Sequence, residues 1–199
     1  MDHLTVRKAA EQDRGAVAMC IAEGFAEDFS ILCRDSAKVA AAIAGGLQMD
    51  LFYVAELDGS IAGVLAISDC HCRAARVDPA AMKKHWGFFK GWLGSLVLRG
   101  EFEGKLEYPE TTGYIEFVAV RQDFRRRGIA SALLRESMEL ADYREFVLDV
   151  TDVNTAAIRC YSSLGFEEFR RVSEKHAKQK GFGAKIYMRY ARAESECES

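Results

Sequence analysis

The stretch whose reading decides the fold is VAVRQDFRRRGIASALL, Val118–Leu134. An apolar, strand-like run ends in a short polar turn. Three arginines and Gly128 follow, and apolar residues at helical spacing begin at once, through Ala130, Leu133 and Leu134. A strand that passes through a glycine turn into a helix exposes the first amides of that helix. Those N–H groups have no intrahelical acceptors and lie at the positive end of the helix dipole. Together they form an anion site suited to phosphate. Two other phosphate loops, G-x-G-x-x-G and G-x-x-x-x-G-K-[ST], are absent. The arginines also suit a nucleic-acid patch or a solvated turn. A net charge of −3 without a wider basic patch opposes nucleic acid as a partner.

Outward from this stretch the pattern alternates strands and helices. LTVRKA reads as a first strand, and Glu11–Phe25 as a helix with Val17, Cys20, Ile21 and Phe25 on one side. DSAKVAAAIAGGL reads as a second helix capped by Asp35 or Ser36. LFYVAEL and SIAGVLAI flank Asp58-Gly59, a hairpin signal. GYIEFVAV is a strand, Gly128–Ala141 a helix, and FVLDV a nearly continuous apolar strand, as expected when both faces are covered. A helix from Asn154 to Leu164 closes at Gly165, and FEEFRRV and AKIYMRY complete the strands. The order predicts a mixed sheet with helices on both faces, in which the strands around Gly128–Ala141 are parallel.

Residues 68–112 are the least regular part. Asp78-Pro79 predicts a helix start, and Met82, Trp86, Phe89, Leu93, Leu96 and Val97 follow at helical spacing. Gly87, Gly91 and Gly94 share one side of that pattern. They predict a broken helix or two short ones, ahead of a stripe for close approach of another backbone or a ligand. The aromatics of this insertion, with His85, Trp86, Phe88, Phe89 and Trp92, suit either a roof over a pocket or a dimer contact.

Arg125-Arg126-Arg127-Gly128-Ile129-Ala130 resembles the [QR]-x-x-G-x-[GA] pyrophosphate loop of the GNAT superfamily of N-acetyltransferases. LDVTDVNTAAIRCYSSLGF resembles that family's second signature, about 25 residues downstream. The resemblance implies a mixed, mostly antiparallel sheet with a V-shaped splay between the fourth and fifth strands. The helical insertion before the fourth strand departs from the family's usual short connection. The family binds acetyl-CoA in the splay. By resemblance the backbone of Val118, Ala119 and Val120 would line the pantetheine arm. The pyrophosphate would take amides of Arg126, Arg127, Gly128, Ile129, Ala130 and Ser131, with Arg125 at the motif's first position. Asn154, Ala157 and Tyr161 lie at i, i+3 and i+7, so one side of their helix can face the pantetheine.

Acetyl transfer to an amine needs a base for the amine and a proton donor for the departing thiolate. Tyr161 occupies the family's donor position. Its other reading is a core aromatic. For the base, Glu116 ranks first, because alternation would put it on the face of Val118 and Val120. Asp149, a charge within the apolar strand FVLDV, ranks second, and a water chain third. Glu27 and Asp28, in a segment that borders the acceptor pocket in this family, suit a cationic amine or a solvated loop. Cys160 reads as a structural thiol, with no paired histidine.

The 199 residues suit one domain over residues 1–191, followed by an acidic tail over 192–199 expected to be disordered. The six cysteines form no C-x-x-C pair, and Cys70-His71-Cys72 lacks the second half of a zinc site, so no metal is expected. No apolar signal core or membrane-length run is present. The expectation is a cytoplasmic N-acetyltransferase, monomer or homodimer, using acetyl-CoA and a small-molecule or peptide amine, with neither membrane nor nucleic acid as partner. The alternative is a non-catalytic acyl-CoA-binding module on the same fold.

Overall fold

A computed structural model describes residues 3–175 and 177–192. The tail from 193, with Cys197, lies outside the described residues, as does His176. Among the described residues seven strands form one sheet: β1 (Leu4–Lys8), β2 (Phe52–Leu57), β3 (Ser60–Ser68), β4 (Thr112–Val120), β5 (Glu145–Thr151), β6 (Glu167–Ser173) and β7 (Ala184–Ala191). Their spatial order is β1-β2-β3-β4-β5-β7-β6. All neighbours are antiparallel except β4 and β5, the pair joined through a helix.

Local chemistry sets many boundaries. Asp58 and Gly59 both take positive φ, 49° and 78°, as a tight β2–β3 hairpin requires. The Asp35 side chain caps helix α3 (Ser36–Ile43) by accepting from the amides of Ala37 and Lys38. Asp78 does the same for α4 (Pro79–Trp86), with Pro79 at its first position. Helix α1 (Arg14–Gly24) follows a short 3₁₀ turn, and the link to α3 contains one further turn, α2 (Ala26–Phe29).

The insertion holds two helices, α4 and α5 (Phe88–Phe102), broken at Gly87 with φ 85° and ψ 162°. The expected break is there, and the close-approach reading also holds. A Cβ at Gly91 would lie 2.5 Å from the Lys83 backbone, and one at Gly94 2.7 Å from the Trp86 ring. The glycines let the two helices fold onto each other.

Helices α6 (Ile129–Leu140) and α7 (Thr155–Ser163) and a short α8 (Ala177–Lys180) complete the chain. Two apolar layers result. Val17, Ile21, Val39, Phe52, Val64 and Met82 pack α1, α3 and α4 against one sheet face. Leu133, Leu134, Phe146, Leu148, Tyr161 and Met188 pack α6 and α7 against the other. Strand β6 is exposed along its length and rich in charge, which protects a free sheet edge.

Candidate active site

The site forms where the parallel pair parts. Strands β4 and β5 pair only from Thr112 opposite Glu145 to Ile115 opposite Leu148. Beyond that point β4 stays on β3, while Asp149, Val150 and Thr151 of β5 stay on β7. The gap between Glu116–Val120 and Asp149–Thr151 is the expected splay. Glu116 and Asp149 are thus the first residue of each strand past the last pair, facing each other across the apex.

A β-bulge shapes this apex. Strand β3 has one residue between Val64 and Ala66, whereas β4 has two between their partners Ala119 and Glu116. Phe117 absorbs the extra residue with φ 58°, and its ring packs against Phe25, Phe52 and Phe102. The bulge overturns one expectation from strand alternation. Glu116 lies opposite Ala66 on the α1 face, whereas Val118 and Val120 pack with the α6 layer. They do not share a face, because the bulge breaks the period of two.

Glu116 is held firmly. It accepts from Arg73 Nη2 at 2.7 Å, from the Ser68 hydroxyl and from the Ala74 amide at 3.2 Å. Side-chain exposure is 11% for Glu116 and 15% for Arg73, so this is a largely buried pair. Arg73 also donates to the carbonyls of Glu101 and Gly104, tying the end of α5 to the apex. Asp149 accepts from the Tyr114 hydroxyl and lies 3.5 Å from Lys185 Nζ, which is 3.4 Å from Glu101. Desolvation lowers the Lys185 ammonium, but Asp149 and Glu101 together hold it above the usual lysine range. Burial, then Asp149, pushes the Tyr114 phenol far up.

Tyr161 sits on the opposite face, 8% exposed, its ring 6.1 Å from that of Phe166. Its phenol is raised by burial first, then by Cys160 and Asp149, and its hydroxyl has no hydrogen-bond partner among the described residues. The Tyr161 phenol and the two carboxylates therefore approach the splay from opposite sides of the sheet. Cys160 is partly buried, its Sγ 3.3 Å from the Ser131 hydroxyl.

At the other end of the gap, Gly128 caps α6 with φ 75° and no side-chain cap. The amides of Gly128, Ile129, Ala130 and Ser131 meet no acceptor among the described residues. The Arg121 amide bonds Ala62 of β3, so alternation turns the Val120 and Val118 amides towards the gap, between the inward-turned Ala119. The arginines divide. Arg125 Nε donates to the Val120 carbonyl at 3.1 Å, Arg127 lies 5.7 Å over the Phe124 ring, and Arg126 is exposed at φ 62°. Asn154 spends its side-chain oxygen on the Ala157 amide as the cap of α7.

Asp28 belongs to the carboxylate side. Desolvation raises its carboxyl, and Glu27, Lys185 and Glu101 act on it as neighbouring charges. Glu27 adds only charge there. Arg73, Ser68, Tyr114, Glu101 and Lys185 were not legible as site residues. Period-two alternation in AKIYMRY marks Lys185 as a face-mate of Tyr187, but only the β5–β7 register sets it beside Asp149.

Comparison with known proteins agrees with this geometry. An N-alpha-acetyltransferase from Sulfurisphaera tokodaii is 30% identical over 131 residues, 63% of this chain and 62% of that protein. An N-acetylaspartate synthetase from Danio rerio is 34% identical over 120 residues, 56% of this chain and 40% of that protein. The chain therefore spans less than two thirds of either relative. Among solved structures, an N-acetyltransferase from Staphylococcus aureus Mu50 superposes with a TM-score of 0.63 at 17% identity, covering 94% of this chain and all of that one. A Salmonella typhimurium structure with its cofactor acetyl-CoA gives 0.58 at 17% identity, over 98% of each chain. These likenesses share the fold. Residues 22–166 match the sequence model of the acetyltransferase (GNAT) family, and the chain belongs to that family.

Proposed function

We propose that the protein transfers the acetyl group of acetyl-CoA to a primary amine by direct attack, with both substrates bound. The observation that carries this reading is the splay itself: four acceptor-free amides at the start of α6 and, at the apex, two carboxylates facing a buried phenol. The residues fit a pyrophosphate-bearing thioester. A Cβ at Gly128 would meet nothing within 4 Å, so the backbone there lies open to a ligand. Arg126 and Arg127 contribute amides to the same cradle, and Arg125 braces it through Val120. Asn154 and Ala157 hold the start of the helix that carries Tyr161.

Bound acetyl-CoA supplies an activated acetyl thioester at the apex. Asp149 takes the proton of the attacking amine, and Tyr161 returns a proton to the departing sulfur. Glu116, committed to Arg73, positions the site rather than serving as the base, which reverses the order read from the sequence. Asp28 and Glu27 attract a cationic acceptor. The relatives' names, an N-alpha-acetyltransferase and an N-acetylaspartate synthetase, support nitrogen as the acceptor atom.

The test is thermal unfolding with acetyl-CoA and thiol release over a panel of amines. A ligand at ~100 times its Kd adds about 2.7 kcal/mol, roughly 5–10 °C for a chain of this size. Gly128→Glu, which sets bulk and negative charge in the cradle, should abolish the shift. Gly128→Ala, which adds only backbone strain, should retain it. A folded protein without a shift, or Gly128→Glu with wild-type affinity, refutes the reading.

A further inference from the structure

Helix α5 carries apolar side chains on two opposite faces. Gly91, Gly94 and Leu98 face inward. On the other face Phe88, Phe89, Trp92, Leu93, Leu96 and Val97 are between 49% and 81% exposed. With aromatic rings presenting about 150–250 Å² each, the stripe leaves roughly 600 Å² of apolar surface bare. That is at the upper limit for a patch on a monomer and approaches the ~800 Å² per partner of a standard interface before any rim is counted.

We infer that this face docks on the same face of a second copy of the chain, making a two-fold dimer through α5. The stripe consists of two adjacent rows at spacing four, 88-92-96 and 89-93-97, with a groove between them. Such rows interlock with their own kind at a crossing of about −50°. A two-fold axis between Trp92 and Leu93 sets the phenylalanine end of one stripe against the Leu96–Val97 end of the other, bulky against slim. The last turn of α5 carries its own ion pairs, Arg99 with Glu103 and Lys185 with Glu101, so it adds no net charge to the stripe, and the two-fold arrangement rests on the bare area and the self-complementary rows. The interface adjoins the active site, because the end of α5 and the turn after it supply Phe102 to Phe117 and the carbonyls of Glu101 and Gly104 to Arg73.

Light scattering of the full chain at micromolar concentration tests this directly. Twice the chain mass is expected for the wild type, and a two-fold fall in mass for Trp92→Glu/Leu96→Glu with an unchanged far-ultraviolet circular dichroism spectrum. A second readout needs no folded variant. Trp86 is buried within one copy and Trp92 is half exposed, so dilution of the wild type should shift tryptophan emission to the red. Single-chain mass and concentration-independent emission overturn the dimer. So does wild-type mass in the folded double variant. A single chain in solution that co-sediments with phosphatidylcholine–phosphatidylserine vesicles, and loses this in the double variant, assigns the face to lipid instead.

Discussion

Phe117 adopts φ 58°, a left-handed backbone that costs a bulky residue about 1–2 kcal/mol. Its ring is wedged among three other phenylalanines, and aromatic pairs contribute about 0.5–1.5 kcal/mol each beyond area burial, enough to offset the strain. The strained residue is what sends Glu116 and Val118 to opposite faces. Tyr161 poses the complementary case, a buried phenol whose hydroxyl has no partner among the described residues. Removing that oxygen breaks no hydrogen bond among the described residues, so Tyr161→Phe should leave the unfolding free energy from urea titration within about 0.5 kcal/mol of wild type. A general acid contributes about 10²–10⁴-fold, so turnover measured by thiol release should fall by at least ~10² while acetyl-CoA affinity stays nearly constant. Unchanged turnover would move the acid role to another group.

The α4–α5 hairpin shows an element set by competing small terms. Gly91→Ala gains about 1 kcal/mol of helix propensity but drives a Cβ to 2.5 Å from the Lys83 backbone, which cannot swing aside as a side chain can. Overpacking of this kind costs about 1–3 kcal/mol, so the net effect is a lowered urea midpoint. Gly100→Ala lies in the same helix with nothing within 4 Å, and there propensity alone should raise the midpoint. If both changes stabilise, the close contact is not a constraint. The same hairpin marks how far sequence reading carries. Asp78-Pro79, Asp58-Gly59 and Asp35 announce themselves because cap and turn chemistry is local. Glu116 and Asp149 could be named singly from their strands. Their opposition across the apex depends on the β4–β5 register, and the wrong face for Glu116 came from a bulge that exists only in the pairing with β3. Arg73 and Lys185 reach the site from residue 73 of an irregular segment and from the last strand, so no spacing along the chain announces them.

At the scale of the molecule, four residue pairs join β4 to β5, whereas β5 and β7 are paired over seven. The Tyr114–Asp149 hydrogen bond and the packing of α6 reinforce the junction, which remains the thinnest in the sheet. Opening along it exposes less surface than opening anywhere else in the sheet's middle, so local exchange there should be cheaper than global unfolding. A ligand that lies in the splay spans the junction and stabilises only the closed sheet. Hydrogen exchange followed by mass spectrometry should therefore show acetyl-CoA slowing amides of residues 112–120, 128–132 and 145–151 most, with β1 and β2 nearly unaffected. Linkage caps the slowing of junction amides at the binding term, about 2.7 kcal/mol or roughly 100-fold at ~100 times Kd. Equal protection of β1–β2 would mean that the sheet opens only as a whole. Protection confined to residues 128–132 would mean that the ligand contacts the start of α6 without entering the splay, and acetyl transfer at the Glu116–Asp149 apex would then lose its structural basis.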